Sequence, residues 1–264
     1  MTMATVPAQY APAESRAALS ARGLSKSFGN FQAVNDVDID IHHGRIHALI
    51  GPNGAGKSTV FNLLTKFLQP TAGKIMFGET DITRMDPAHI ARLGVARSFQ
   101  ISATFGDMSL VDNVCVALQR PNGLAVQFWR PLGSLSRLRP RAMELLGRVG
   151  LADMAGRRAA DLSYGRKRAL EIATTLALDP KVLLLDEPLA GMGQEDVETM
   201  AGLIADVARD CAVLMVEHNI KVVADIGHDI TVLQRGEILT HGSYAEVSAD
   251  PRVREAYMGA EDDD

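Results

Sequence analysis

The stretch GPNGAGKST, Gly51 to Thr59, constrains this chain more than any other. The apolar run RIHALI (45–50) leads into it, and VFNLLTKFL (60–68), which reads as a helix, leaves it. The spacing G-x-x-x-x-G-K-[ST] between a strand and a helix describes a loop built to hold phosphate. Gly51, Gly54 and Gly56 let the backbone curl until successive N–H groups face phosphate oxygens. Pro52, Asn53, Ala55 and Thr59 complete the loop, and the helix adds its positive end. Lys57 supplies a mobile charge for β- and γ-phosphates, and the Ser58 hydroxyl suits Mg²⁺.

A phosphate loop of this kind needs a second metal contact and a group that handles water. VLLLDEP (182–188) offers both. Its apolar strand ends in Asp186, which puts a carboxylate at the carboxyl edge of the sheet, where ligands bind in open α/β folds. Asp186 is placed to hold Mg²⁺ through water, and Glu187 is the candidate general base for an attacking water.

DLSYGRKRAL (161–170) raises a different question. Ser163 is a plausible N-cap, and a loose apolar helical period follows. Yet Arg166, Lys167 and Arg168 crowd the first turn, where the helix dipole disfavours cations. That arrangement suits a helix start that expects an anion.

The remaining pattern supplies the setting. KVLLLD (181–186) and CAVLMVE (211–217) read as strands buried on both faces, with a helix at roughly 194–209 between them. AVNDVDIDI (33–41) alternates, so an antiparallel portion is expected near the N-terminus. ITVLQRGEILTHG (230–242) reads as a hairpin turning at Arg235-Gly236. Residues from about 100 to 178 carry helical signals and no strong strand. The fold class expected is therefore a P-loop NTPase α/β core with a mixed sheet, an N-terminal antiparallel β portion and an inserted α-helical subdomain. Residues 1–19 read as a mobile tail, 20–258 as the folded domain and 259–264 as an acidic tail.

Bulk properties narrow the function classes. A net charge of −5 gives no general attraction for nucleic acid or anionic membrane. The two cysteines, Cys115 and Cys211, lack metal spacing and read as buried thiols of a reducing compartment. No apolar run reaches the ~20 residues that span a bilayer.

Phosphate loop, LSYGR and LLLDEP in this order resemble the ATP-binding subunit of ABC transporters. LSYGR stands where that family carries its LSGGQ signature, with Ser163 and Gly165 kept as the residues facing phosphate, Tyr164 in place of a glycine and Arg166 in place of the glutamine. The resemblance implies further roles. Phe28 resembles the aromatic that stacks on adenine, Gln100 the glutamine that reaches metal and water, and His218 the switch histidine at the γ-phosphate. Ser58, Gln100 and Asp186 become the implied metal set, ATP and Mg²⁺ the implied ligands, and Glu187, His218, Gln100 and Lys57 the catalytic set. Gly193 stands where the family has an aspartate.

Within the family, LSYG…RALEIA, EPLAGM, VEHNIKVVADI and ADPRVREAYMG look like the subunits that drive uptake of branched-chain and other hydrophobic amino acids. Urea uptake and lipopolysaccharide export are the alternatives in the transporter class. A soluble ABC ATPase acting on ribosomes or DNA is the alternative outside it. The implied partners are transmembrane permease subunits, a second ATPase subunit that closes Ser163 and Gly165 over the opposite nucleotide, and, indirectly, a substrate-binding protein. Nucleic acid is not expected. The implied place is the cytoplasmic face of the inner membrane, as a peripheral subunit. Of the apolar groups Phe105, Met108, Leu110, Val111, Phe128 and Trp129, a small helical core is expected to claim some, and the resemblance implies that the others line a groove for the permease.

Overall fold

The alternating N-terminal segment forms a layer of its own. β1 (Leu19–Phe28) and β2 (Phe31–Ile41) pair antiparallel from Leu19↔Ile41 to Phe28↔Phe31, and the inward residues Leu19, Ala21, Leu24, Val34, Val37, Ile39 and Ile41 are buried. The structure, a computed structural model, describes residues 17–98, 104–121, 136–218 and 220–258. Gln100, Phe128 and Trp129 lie outside the described residues.

β3 (Ile46–Ile50) runs into the phosphate loop, and α1 (Lys57–Leu64) leaves it. The helix stops short of the 60–68 expected, because Thr65 turns its hydroxyl to the Phe61 carbonyl and Lys66 takes a left-handed backbone at φ 62°. β4 (Ala72–Phe77) and β5 (Thr80–Asp81) complete a four-stranded sheet of order β2-β1-β4-β5. Next come α2 (Pro87–Leu93) and a three-residue strand, β6 (Val95–Arg97), that the sequence pattern did not announce.

The helical stretch holds α3 (Leu110–Leu118), α4 (Arg139–Arg148) and α5 (Tyr164–Leu176), which pack on one another. β7 (Val182–Asp186), α6 (Gln194–Val207), β8 (Ala212–Val216) and α7 (Ile220–Ile226) follow. The hairpin of β9 (Asp229–Gln234) and β10 (Glu237–Gly242) turns at Arg235-Gly236 as expected, with both residues at positive φ. α8 (Tyr244–Ala249) and α9 (Pro251–Met258) end the described chain.

The second sheet has the order β10-β9-β3-β8-β7-β6, parallel except for β10. β3, β7 and β8 are buried on both faces because each face of the sheet has its own cover. Ile46, Ala48, Ile50, Leu183, Leu185, Val213 and Met215 join α3 to α6 in one cluster. Leu49, Val182, Leu184, Leu214 and Val216 join α1 and the antiparallel sheet in the other. β8 therefore lies between the strand of the phosphate loop and the strand of Asp186, so these two are one strand apart and not adjacent. Leu110 and Val111 are buried in the first cluster, which removes them from any groove. Phe105 remains 54% exposed and Met108 half-buried. Both cysteines are free and buried, and burial lifts the Cys211 thiol to about 12.

Candidate active site

The phosphate loop leaves little space for any side chain at its first and third glycines. A Cβ on Gly51 would stand 2.2 Å from the Leu233 carbonyl oxygen, and one on Gly56 would stand 2.8 Å from that of Ala33. Gly56 caps α1 in a left-handed conformation, φ 99°, without a side-chain cap. The first amides of α1 thus have no capping oxygen competing for them, the condition for binding an anion there. Gly236 N donates to Ala55 O at 3.0 Å, and its own carbonyl accepts from Asn35 N at 2.8 Å. The β9–β10 turn, itself tied to β2, therefore braces the loop.

Lys57 is 9% exposed and donates to the Gly51 and Pro52 carbonyls at 2.6 and 2.9 Å. Burial pulls its ammonium below the ordinary lysine value, against the opposing field of Glu187 and Asp186. That field brings loop and carboxylates into one site, although β8 separates their strands. Asp186 is 8% exposed, and burial raises its carboxyl while Arg97 opposes the shift. Arg97 sits 3.5 Å from Asp186, donates to Asn62 Oδ1 at 2.7 Å, and stacks over Phe61 and Phe67. Glu187 follows at φ 47°, an uncommon conformation for a residue with a side chain, and its amide donates to Val216 O at 2.9 Å. This sharp exit lifts Glu187 out of the buried strand to a half-buried position.

His218 is exposed at the end of the segment after β8. Its amide donates to Glu217 Oε2 at 3.1 Å. Glu217 itself is wholly buried, and its other oxygen accepts from Leu189 N at 3.1 Å, in the turn beyond Glu187. Arg97 and Glu217 are the two charged residues of this neighbourhood that sequence reasoning missed. A buried charge leaves no periodic signal; only the apolar strand running straight into Glu217 hinted at it.

Phe28 is 47% exposed at the tip of the β1–β2 hairpin, with the Lys26 ammonium 5.1 Å from its ring centre. β2 also supplies Ala33 against Gly56, so the hairpin that carries Phe28 belongs to the wall of the loop. Ser163 and Gly165 stand elsewhere, at the start of α5, which packs on α3, α4 and α6. Ser163 takes the N-cap position without making the expected capping bond. Of the three first-turn cations, Arg168 is paired inside the chain. It lies 2.9 Å from Glu171, donates to Tyr164 Oη at 3.0 Å and covers the Tyr164 ring. Arg166 is exposed.

Among the described residues, no group of three or more His, Cys, Asp or Glu could cage a metal ion. Ser58 and Asp186 offer only hard oxygens. That fits Mg²⁺, which takes one or two protein groups and leaves its remaining positions to water and substrate phosphate. Arg97 shows that a positive charge is accommodated beside Asp186.

A family profile described as ABC transporter matches residues 34–190, the stretch that carries the phosphate loop, the Ser163 helix start and the Asp186 strand. The chain belongs to the ABC transporter family. It is an ATP-hydrolysing cassette of the mixed α/β architecture of that family. A second profile, described as Branched-chain amino acid ATP-binding cassette transporter, matches residues 237–263 of the cassette. The cassette is 37% identical over 248 residues to the high-affinity branched-chain amino acid transport ATP-binding protein LivG of Escherichia coli, covering 91% of this chain and 97% of the relative. It is 39% identical over 254 residues to BraF of Pseudomonas aeruginosa, which carries the same description, covering 93% of this chain and 99% of the relative. Among solved structures, an ABC transporter cassette, MJ1267 in its ADP conformation, matches with a TM-score of 0.81 at 28% identity, over 91% of this chain and 98% of that one.

Proposed function

We propose that this cassette powers the import of branched-chain or other hydrophobic amino acids, as a peripheral subunit on the cytoplasmic face of the inner membrane. The observation that carries the reading is the C-terminal match, because residues 237–263 lie outside the general ATPase machinery. β10, α8 and α9 form the described part of that region, with β10 as the sheet edge next to β9. No described helix is long and apolar enough to cross a membrane. In this reading transmembrane permeases form the path, and a substrate-binding protein selects the cargo.

The site residues take the following roles. The amides of 51–59 and the Lys57 ammonium bind the phosphates of ATP, and Phe28 stacks on adenine. Ser58, Asp186 and Gln100 hold Mg²⁺, whose part is to neutralise phosphate charge. Glu187 accepts the proton of the attacking water. His218 contacts the γ-phosphate. Ser163 and Gly165, at the start of α5, close on the γ-phosphate of a second ATPase subunit. ATP binds the closed pair better than the open one, so binding closes the pair and hydrolysis releases it.

Two experiments test this. Glu187→Gln should bind ATP, turn it over at least ~100-fold more slowly, and accumulate as a dimer; turnover near the parent rate would remove Glu187 as the base. Membranes carrying the cassette with its permeases should take up radiolabelled leucine in an ATP-dependent way. A defect in lipopolysaccharide delivery without one in leucine uptake would overturn the substrate assignment.

A further inference from the structure

Glu217 has no role in the scheme above, yet its position is unusual. It is a fully buried carboxylate, 0% exposed, just past the end of β8. β8 lies between the strand of the phosphate loop and the strand of Asp186, so this is the centre of the catalytic edge. The Glu217 amide donates to Leu49 O on β3 at 3.3 Å. Its two carboxylate oxygens divide their bonds, Oε1 accepting from Leu189 N and Oε2 from His218 N, both at 3.1 Å. Leu189 lies inside the turn closed by Ala190 N donating to Glu187 O at 3.2 Å. One side chain therefore joins the turn that begins at Glu187 to the backbone of His218. A buried ion is expensive, and an apolar residue of like volume usually serves packing as well or better. Packing alone does not explain a carboxylate here, whereas two backbone donors on two catalytic segments do.

We infer that Glu217 is a positioning residue that locks the Glu187 turn to the His218 segment, so that base and switch histidine move as one body. Contact between His218 and a phosphate then sets the Glu187 turn through Glu217. The inference rests on the roles proposed for Glu187 and His218.

The test is steady-state ATP turnover by the purified full chain carrying Glu217→Gln, which keeps the size and one acceptor but turns an amide NH₂ towards the other backbone N–H. The expected result is a kcat lower by ~10-fold or more with KM for MgATP within ~2-fold, since a small displacement of positioned groups costs rate before binding. Combined with His218→Ala, it should lose less than the product of the two single losses, because both changes break the same unit. Glu217→Met, which lacks both acceptors, should be slower still while binding a fluorescent ATP analogue as the parent does. Unchanged kcat, losses that multiply, or turnover that only tracks a falling melting temperature would each overturn the inference. So would failure of both variants to bind nucleotide, which marks a folding residue. If His218→Ala and Glu187→Gln alone leave turnover intact, it is the catalytic assignment that falls.

Discussion

Replacing Arg97 with methionine tests how the site balances the charge of Asp186. The pair is 3.5 Å apart with side chains 18% and 8% exposed, so solvent screens it weakly. At an effective dielectric of about 20, the gross attraction at that distance is about 5 kcal/mol. The variant no longer buries a guanidinium, which returns part of this, but it strands a buried carboxylate and removes the bond to Asn62. A net loss of about 3 kcal/mol follows, within the range for breaking a buried pair. For a domain of this size that lowers the melting temperature by about 6–12 °C. Differential scanning fluorimetry of parent and Arg97→Met reads it directly. With Asp186 holding Mg²⁺ as proposed, Mg²⁺ with ATP would bring a replacement charge, so the gap between the two proteins should narrow by about half when both are added, and less with ATP in EDTA. A gap under about 2 °C, or one that Mg²⁺ leaves unchanged, would refute the reasoning.

Other outcomes follow from buried groups away from the carboxylates. His47 is 1% exposed, gives its Nδ1 proton to Asp40 O, accepts from Thr231 through Nε2, and is held by burial at about 4 against an ordinary 6.5. The unfolded chain binds the proton first, so stability present above pH 6.5 is lost as pH falls towards 4, by about 3 kcal/mol. Urea unfolding of His47→Gln should show a flatter acid limb than the parent; parallel limbs would assign the acid loss to other groups. Gly56→Ala forces φ 99° on a side chain and a Cβ to 2.8 Å from the Ala33 carbonyl. It should cost about 2–3 kcal/mol in urea unfolding and abolish nucleotide binding; a variant that binds ATP normally would show that the loop yields easily.

The loop, the β9–β10 hairpin and the N-terminal alternation were legible because each is a short-range pattern: fixed spacing, a two-residue turn, a period of two. Strand order was not, since β3, β7 and β8 are all apolar on both faces and nothing in VLLL or AVLMV says which lies in the middle. That order is what buries Glu217 and puts a strand between loop and carboxylate. β6 escaped notice because three residues carry no period, and Arg97 went with it, its partner lying far along the chain. The first-turn cations at 166–168 suggested an anion, yet Arg168 answers to Glu171 and Tyr164 within the same chain. Of the six apolar groups between 105 and 129, Leu110 and Val111 follow the helical period inward to the core.

The two carbonyl contacts of Lys57 have a consequence for what the loop accepts. Its ammonium already has partners in Gly51 and Pro52, so a newcomer must out-compete them. A neutral nucleoside offers nothing stronger than the carbonyls it would displace. A triphosphate offers charged oxygens, whose Coulomb attraction for the ammonium exceeds that of a neutral carbonyl. The lysine thus acts as a threshold that favours ligands carrying negative charge over adenosine and other uncharged look-alikes.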